Sequence, residues 1–385
     1  MFTSRRFRRG PRALLPLLAA AVLAATTLTA CGDGDAAATP SQAAESLVPD
    51  YYPAEYSELI EASKKEGGEL VIYSNIGPEN WAPIFRDFTK KYPWVTDISA
   101  NDLGSDEVFQ RVTSESATGT SPADILVSNA AHAWAKYAAD PAHLVEYQSP
   151  ELKKLPNFST LMPNVYAMSA DPMMIAYNAS LMPDRPTGLG SLAKIVAQNP
   201  ELFRDKITAR DVDSAFGFTV AHAFTEGNPQ AWSTLEKLLP LAKQETSSGT
   251  QNDKIVTGDY LAGFFIAAAP AYPVAEKNSG VFEVTFLDDG TVVVPRGIGI
   301  APESPHANTA KLFLDFVIST EGQRAVAEGG LTAYRDDVQK GDGRHTYREV
   351  VDAVGQENVF LVQYSPVSSG TVEQFVSRWN NLLQE

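Results

Sequence analysis

Apolar spacing along the chain switches repeatedly between two periods. Tyr56, Leu59, Ile60 and Ser63 share one helical face, which predicts a helix near residues 53–66 with Gly67-Gly68 as its stop. A short apolar run at 70–73 predicts a strand, and Ser74-Asn75-Ile76-Gly77-Pro78 a loop after it. In the next segment Trp81, Ile84, Phe85 and Phe88 recur at i, i+3, i+4 and i+7, a helix closed by Tyr92-Pro93. The same order of strand, loop and helix returns at 123–128 and again later. That alternation predicts an α/β sheet rather than a helical bundle or a sandwich. Residues 282–286 alternate in and out, Asp289-Gly290 offers turn chemistry, and 291–294 resume the apolar run, which predicts a hairpin. Leu312, Phe313, Phe316 and Val317 line a further helix, and Thr320 with Gln323 offers a capping box for the one that follows.

The N-terminus adds a compartment to this picture. Arg5, Arg6, Arg8, Arg9 and Arg12 precede or open a stretch, 13–25, made almost entirely of Leu, Ala and Val. Its length suits an export signal and is short for a membrane span. Leu28-Thr29-Ala30-Cys31, followed by Gly32, resembles the bacterial lipobox, in which the cysteine carries the lipid of the mature chain. Residues 1–30 are therefore expected to be a signal peptide, and 31–48 a lipidated Cys31 with a flexible tether of small polar residues. The expected location is the extracellular face of the cytoplasmic membrane, or the periplasm, with the chain lipid-anchored. Cys31 is the one cysteine in 385 residues, which excludes an intrachain disulfide.

Charge narrows the partners. The formal net charge is −16, and taking the five arginines of the signal from 31 basic residues leaves 26 against 47 acids, or −21. Such a surface repels nucleic acid at long range but leaves the local potential of a cleft open.

Three blocks of sequence carry a resemblance. LVIYSNIGPENWAPIFRDFTKKYP at 70–93 resembles the opening strand and helix of bacterial ABC-transporter extracellular solute-binding proteins of the ferric-iron-binding type. SADPMMIAYNASL at 169–181 is similar to their strand that crosses into the second lobe, with its Tyr-Asn pair at Tyr177-Asn178. PRGIGIAPESPHANTAKLFLDFVISTEGQRAVAEGGLTAYRDDV at 295–338 is similar to their return strand, their Asn-x-Ala-Lys helix and their Ser-x-Glu-Gly-Gln turn. The resemblance implies a type 2 periplasmic-binding-protein fold, α/β and two-lobed with crossing hinge strands. Lobe 1 would comprise 49–175 and 294–385, and lobe 2 would comprise 176–293. It also implies a monomer that delivers a solute to an ABC permease, without catalysis or a cofactor.

In such folds ligands sit at loops after the carboxyl ends of strands and at helix N-termini, where free backbone N–H groups and the helix dipole meet them. The loops concerned hold Ser74 and Asn75, Ser105 and Asp106, Ser128 and Asn129, and the hinge residue Tyr177. The expected second-lobe contacts are Asp213, Ser214, Ala215 and Phe216, followed by Thr250. Each of these loops also reads as an ordinary cap or turn.

Iron-binding members of the family carry a Tyr-Tyr pair about ten residues after a Gly-acid step. Here Gly258-Asp259 is the step, and Ala268-Ala269 stand where the tyrosines belong. The adjacent pair Tyr51-Tyr52 falls close to the tether, and the five histidines show no ligand spacing. These readings favour an organic solute over Fe(III), anionic or zwitterionic: a phosphonate, a phosphate ester or a carboxylate. An ammonium group would look to Asp106 or Asp213. Alternatives are an Fe(III)-binding importer component, a sensor that presents its ligand, and a phosphotransfer hydrolase. The last would rest on Asp211-Val212-Asp213-Ser214-Ala215, whose fifth residue and position in the chain depart from the D-x-D-x-[TV] pattern.

Overall fold

The computed structural model describes residues 48–182, 184–339, 341 and 345–384. The expected signal peptide, Cys31 and the tether up to residue 47 lie outside them.

The first helix, α1 (Tyr56–Ser63), turns Tyr56, Ile60 and Ser63 inward. It ends before Gly67 and Gly68, whose φ angles of +87° and +83° place both in the left-handed region. Next come β1 (Glu69–Ser74), α2 (Pro78–Lys91), β2 (Asp97–Asp102), α3 (Glu107–Ser116), β3 (Ile125–Ser128) and α4 (Ala131–Tyr137). The periodic face of α2 buries Trp81, Ile84 and Phe88. Phe88 meets Phe313 edge-on at 5.0 Å between ring centres. Each such fully buried aromatic contributes about 1.5–3 kcal/mol over an exposed one.

After β4 (Thr160–Met162), the long strand β5 (Val165–Asn178) is buried along its whole length. Then follow α5 (Leu189–Gln198), α6 (Pro200–Phe203), β6 (Ile207–Arg210), α7 (Ala215–Gly227) and α8 (Ala231–Leu238). β7 (Ala242–Glu245), α9 (Ser248–Thr257), β8 (Ala262–Ala267), α10 (Ala268–Lys277) and β9 (Phe282–Thr285) complete this stretch. The chain returns through β10 (Thr291–Ile300), α11 (Ala307–Ile318), α12 (Thr320–Glu328), β11 (Thr332–Ala333), β12 (His345–Thr346), α13 (Tyr347–Val354), β13 (Val359–Leu361) and α14 (Ser369–Leu383).

The strands line up as β2-β1-β3-β10-β5-β8-β6-β7, two parallel wings joined through the antiparallel pair β10 and β5. β5 is the crossing strand. Its residues from Tyr166 to Pro172 pair with β10, and those from Met173 to Asn178 pair with β8 and β9. The sheet is thus mixed α/β with crossing strands between its halves. Helix α14 packs beside the second half: Phe375 lies 5.4 Å from Phe218 and 5.2 Å from Trp232, and Arg378 pairs with Glu236 at 3.1 Å.

Three local expectations are corrected. The hairpin does not form, because β9 and β10 pair in succession with β5 instead of with each other. The turn at Asp289-Gly290 does form, the Gly290 amide donating to the Leu287 carbonyl at 3.2 Å, and Asp289 also caps α5 by accepting the amides of Leu189 at 3.0 Å and Gly190 at 2.6 Å. The cap of α12 is Ser319, whose Oγ accepts the Gly322 amide, while Gln323 is buried and donates to the carbonyls of Met168 and Val317. Tyr51 and Tyr52 are part of the folded body, each donating a 2.7 Å hydrogen bond to Glu151 Oε1.

Candidate functional site

In the first half, the carboxyl ends of β1 and β3 lead into a hydrogen-bonded chain. Asn75 Nδ2 donates to Asn129 Oδ1 at 2.7 Å, and Arg296 Nη1 donates to Asn75 Oδ1 at 2.7 Å. Arg296 Nη2 reaches Asp171 Oδ2 at 3.2 Å, so a buried ion pair ties the two crossing strands together. Asp171 also accepts from Ser169 Oγ and from the Thr332 amide. The loops after β1 and β3 are thereby joined to the hinge.

The serines of these loops face inward. Ser74 Oγ accepts from Trp81 Nε1 at 3.1 Å, and Ser128 Oγ donates to the Ser105 carbonyl at 2.8 Å and accepts the Ala130 amide. Asp106 sits in a groove between α3 and α4 with Phe109, His132 and Lys136, and burial raises its pKa against the opposing effect of His132. Asn75 and Asn129 are therefore brought together, whereas the Ser74 and Ser128 hydroxyls are engaged locally, Ser105 contributes its backbone carbonyl, and Asp106 lies in a separate groove.

The second half sets three helix starts side by side. β6 pairs in parallel with both β7 and β8, so α7, α9 and α10 all begin along one edge. Ser214 caps α7, accepting the Gly217 amide at 3.1 Å and donating to the Asp211 carbonyl at 2.7 Å. Gly217 is required there, since a Cβ would collide with that same carbonyl. Ser247 caps α9 through the Thr250 amide at 3.0 Å, and Thr250 Oγ1 stays with Ser247 Oγ at 2.9 Å. The amides of Ala215, Phe216, Ser248 and Gly249 are left without a partner among the described residues. α10 has no side-chain cap, and its first residues are Ala268 and Ala269. Free amides at a helix N-terminus carry the positive end of the helix dipole.

Arg210, which the sequence did not single out, closes β6 at this edge. Its Nη1 lies 3.5 Å from Ser248 Oγ, which in turn accepts the Ala267 amide at 3.0 Å. The guanidinium stands 5.2 Å from the Phe216 ring, and its Nε is buried without a hydrogen-bond partner. Burial pulls its pKa down to about 10, with Asp211 acting in the opposite direction. Among the described residues no carboxylate comes within ion-pair distance of it, whereas Arg296 and Arg335 both have one. Arg210 thus places a largely desolvated cation, without a carboxylate at ion-pair distance among the described residues, beside the unpaired amides.

The other expected residues are spread more widely. Tyr177 pairs with Ala262, at the amino end of β8, while the helix starts stand at its carboxyl end, beside Met173. Buried in the core, Tyr177 is not brought to that edge. Asp213 is exposed in the turn before α7 and receives Asn380 Nδ2 at 3.4 Å. His222 stacks on Phe218 at 5.0 Å, and burial lowers its pKa. Ala269 packs against the first-half apolar cluster that contains Ile76 and Met168. The Ala269 methyl, at a position expected to hold a tyrosine if iron were the ligand, thus meets the first half. Among the described residues, no group of three His, Cys, Asp or Glu side chains is arranged to hold a metal ion, and no helix is long and apolar enough to cross a membrane.

Compared with known proteins, the sequence matches the family described as "Bacterial extracellular solute-binding protein" over residues 84–349. Among solved structures, the substrate binding protein of an ABC transporter from Agrobacterium tumefaciens has a TM-score of 0.73 at 19% identity, covering 83% of this chain and 96% of that one. The periplasmic binding protein AfuA from Actinobacillus pleuropneumoniae, with exogenous fructose-6-phosphate bound, has a TM-score of 0.64 at 18% identity, covering 82% and 99%. Iron-bound HitA from Pseudomonas aeruginosa has a TM-score of 0.60 at 17% identity, covering 82% and 98%. At these identities the likeness establishes the fold, that of type 2 periplasmic binding proteins. No match was found among curated proteins.

Proposed function

The chain belongs to the bacterial extracellular solute-binding protein family, and from that premise we propose that it captures a small organic solute through a phosphonate, phosphate-ester or carboxylate group and delivers it to an ABC permease. The observation that carries this reading is Arg210, a cation without a carboxylate partner among the described residues, at an edge shared by three helix starts. An anion docked there gains charge-assisted hydrogen bonds from the guanidinium and from the first-turn amides together. Asn75 and Asn129 supply neutral donors and acceptors from the opposite half. A zwitterionic solute would place its ammonium toward Asp213, which stays exposed beside the start of α7.

Solute contacts from both halves favour the closed arrangement by their differential affinity for it. The closed protein then docks on the permease, and a lipid on Cys31 would keep it at the membrane face. A thermal-shift and calorimetric screen of the soluble protein against phosphonates, sugar phosphates, carboxylates and Fe(III) tests the reading. A true ligand at a hundred times its dissociation constant adds about 2.7 kcal/mol of stability. Stabilisation by Fe(III) alone would reject the organic anion and restore the metal.

A further inference from the structure

Tyr272 and His345 come from opposite halves of the molecule. Tyr272 is the fifth residue of α10 and packs with Ile266, Ala271 and Phe282 in the core of the second half. His345 opens β12, which pairs with Thr332 of β11, and the Thr332 amide is held by Asp171 on the crossing strand. The two rings stack with centroids 3.4 Å apart and planes 10° from parallel. Glu349 Oε2 fixes the imidazole through Nδ1 at 3.0 Å.

The surroundings of this stack are unlike those of an ordinary core pair. Buried tyrosine hydroxyls normally find a partner. Among the described residues the Tyr272 hydroxyl has none, and neither do Thr332 Oγ1 or Arg296 Nε, which belong to residues bonded to Asp171. One helical turn before Tyr272, Ala269 presses on the first-half cluster. The stack therefore holds the start of α10, with its uncapped amides, against the opposite half.

We propose that the Tyr272–His345 stack is a clasp that positions the first turn of α10 for solute capture and keeps the ligand-free protein partly closed. The proposal rests on the reading that two halves close on a solute, but not on which solute it is. A clasp raises apparent affinity by enlarging the fraction of binding-competent molecules. An aromatic pair of this kind changes that fraction roughly twofold to tenfold.

The test uses the ligand-free protein, so it is independent of solute identity. Small-angle scattering would compare the radius of gyration of the wild type with Tyr272→Ala, His345→Ala and the double variant. Tyr272→Phe and His345→Phe keep the stack and serve as rescue. Each alanine variant should expand, the double variant no more than either single, and both phenylalanine variants should match the wild type. Should an alanine variant lose its native circular dichroism, Tyr272→Leu and His345→Leu take its place. An unchanged radius in natively folded variants without the stack overturns the proposal. So does expansion in Tyr272→Phe, which would make the hydroxyl and not the stack responsible. The underlying hinge reading fails separately, if a solute that binds the wild type leaves its radius unchanged.

Discussion

Arg210 Nη1 lies 3.5 Å from Ser248 Oγ, linking the carboxyl end of one parallel strand to the first turn of the helix that follows its neighbour. The contact is long for a hydrogen bond and involves a neutral partner, so the guanidinium is held in place without being neutralised.

It follows that Arg210→Met should leave stability unchanged or slightly raised, since it removes a desolvated charge that has no carboxylate partner among the described residues. Solute affinity should fall roughly 10- to 100-fold, the worth of charge-assisted hydrogen bonds to an anion. Arg210→Lys should recover part of it. Calorimetry and denaturation on the same samples separate the two effects.

Ser214 behaves in the opposite way. Its Oγ is engaged both as donor and as acceptor at the start of α7, so Ser214→Ala should cost about 1 kcal/mol of stability through loss of the cap. Thr250→Ala should cost less, because the cap of α9 is Ser247. Combined, the two substitutions should weaken solute binding far less than Arg210→Met does, as titration below the unfolding transition would show.

Asp315 provides a pH signature far from the cleft. Its Oδ2 accepts from Tyr56 at 2.8 Å and Tyr147 at 2.5 Å, and burial raises its pKa to about 7 despite these donors. The folded state thus retains a proton that the unfolded chain releases near pH 4. This group favours folding most in acid, and its contribution declines as pH rises from about 4 through about 7, with a slope of at most about one proton. Asp315→Asn should abolish that part of the slope in denaturation curves recorded across pH.

Glu151 is the partner whose loss should be most damaging. It receives Arg335 Nη1 at 2.7 Å in a buried pair and also accepts from Tyr51 and Tyr52. Glu151→Ala leaves Arg335 buried with only Asp337 at the surface. A loss of about 3–5 kcal/mol is expected in chemical denaturation.

Much of the architecture was legible in the spacing of apolar residues, because α2 and α11 each present one continuous buried face and β1 and β3 are short apolar runs. The misreadings share a cause. Asp289 looked like part of a hairpin because its real partners, Leu189 and Gly190, lie far upstream in the chain. Tyr177 does lie on the crossing strand, but which end of β8 it meets is decided by the antiparallel register, which the sequence did not show. Arg210 was passed over because an arginine ending a strand resembles any solvent-facing charge. What distinguishes it is a carboxylate that is missing in three dimensions, although its place between the run Ile207-Thr208-Ala209 and the turn leading to Ser214 was visible in the sequence.

The first-turn amides carry a different implication, for how the proposed recognition would respond to substitution. On the proposed reading, four of the donors offered to an anion are main-chain amides, at Ala215, Phe216, Ser248 and Gly249. Truncating Phe216 or Ser248 to alanine leaves every one of these donors in place. The region would look tolerant in a mutational library while remaining central to binding, and sequence drift there would preserve the chemistry. Only replacing an amide by an ester, or inserting proline, would reveal what the backbone contributes.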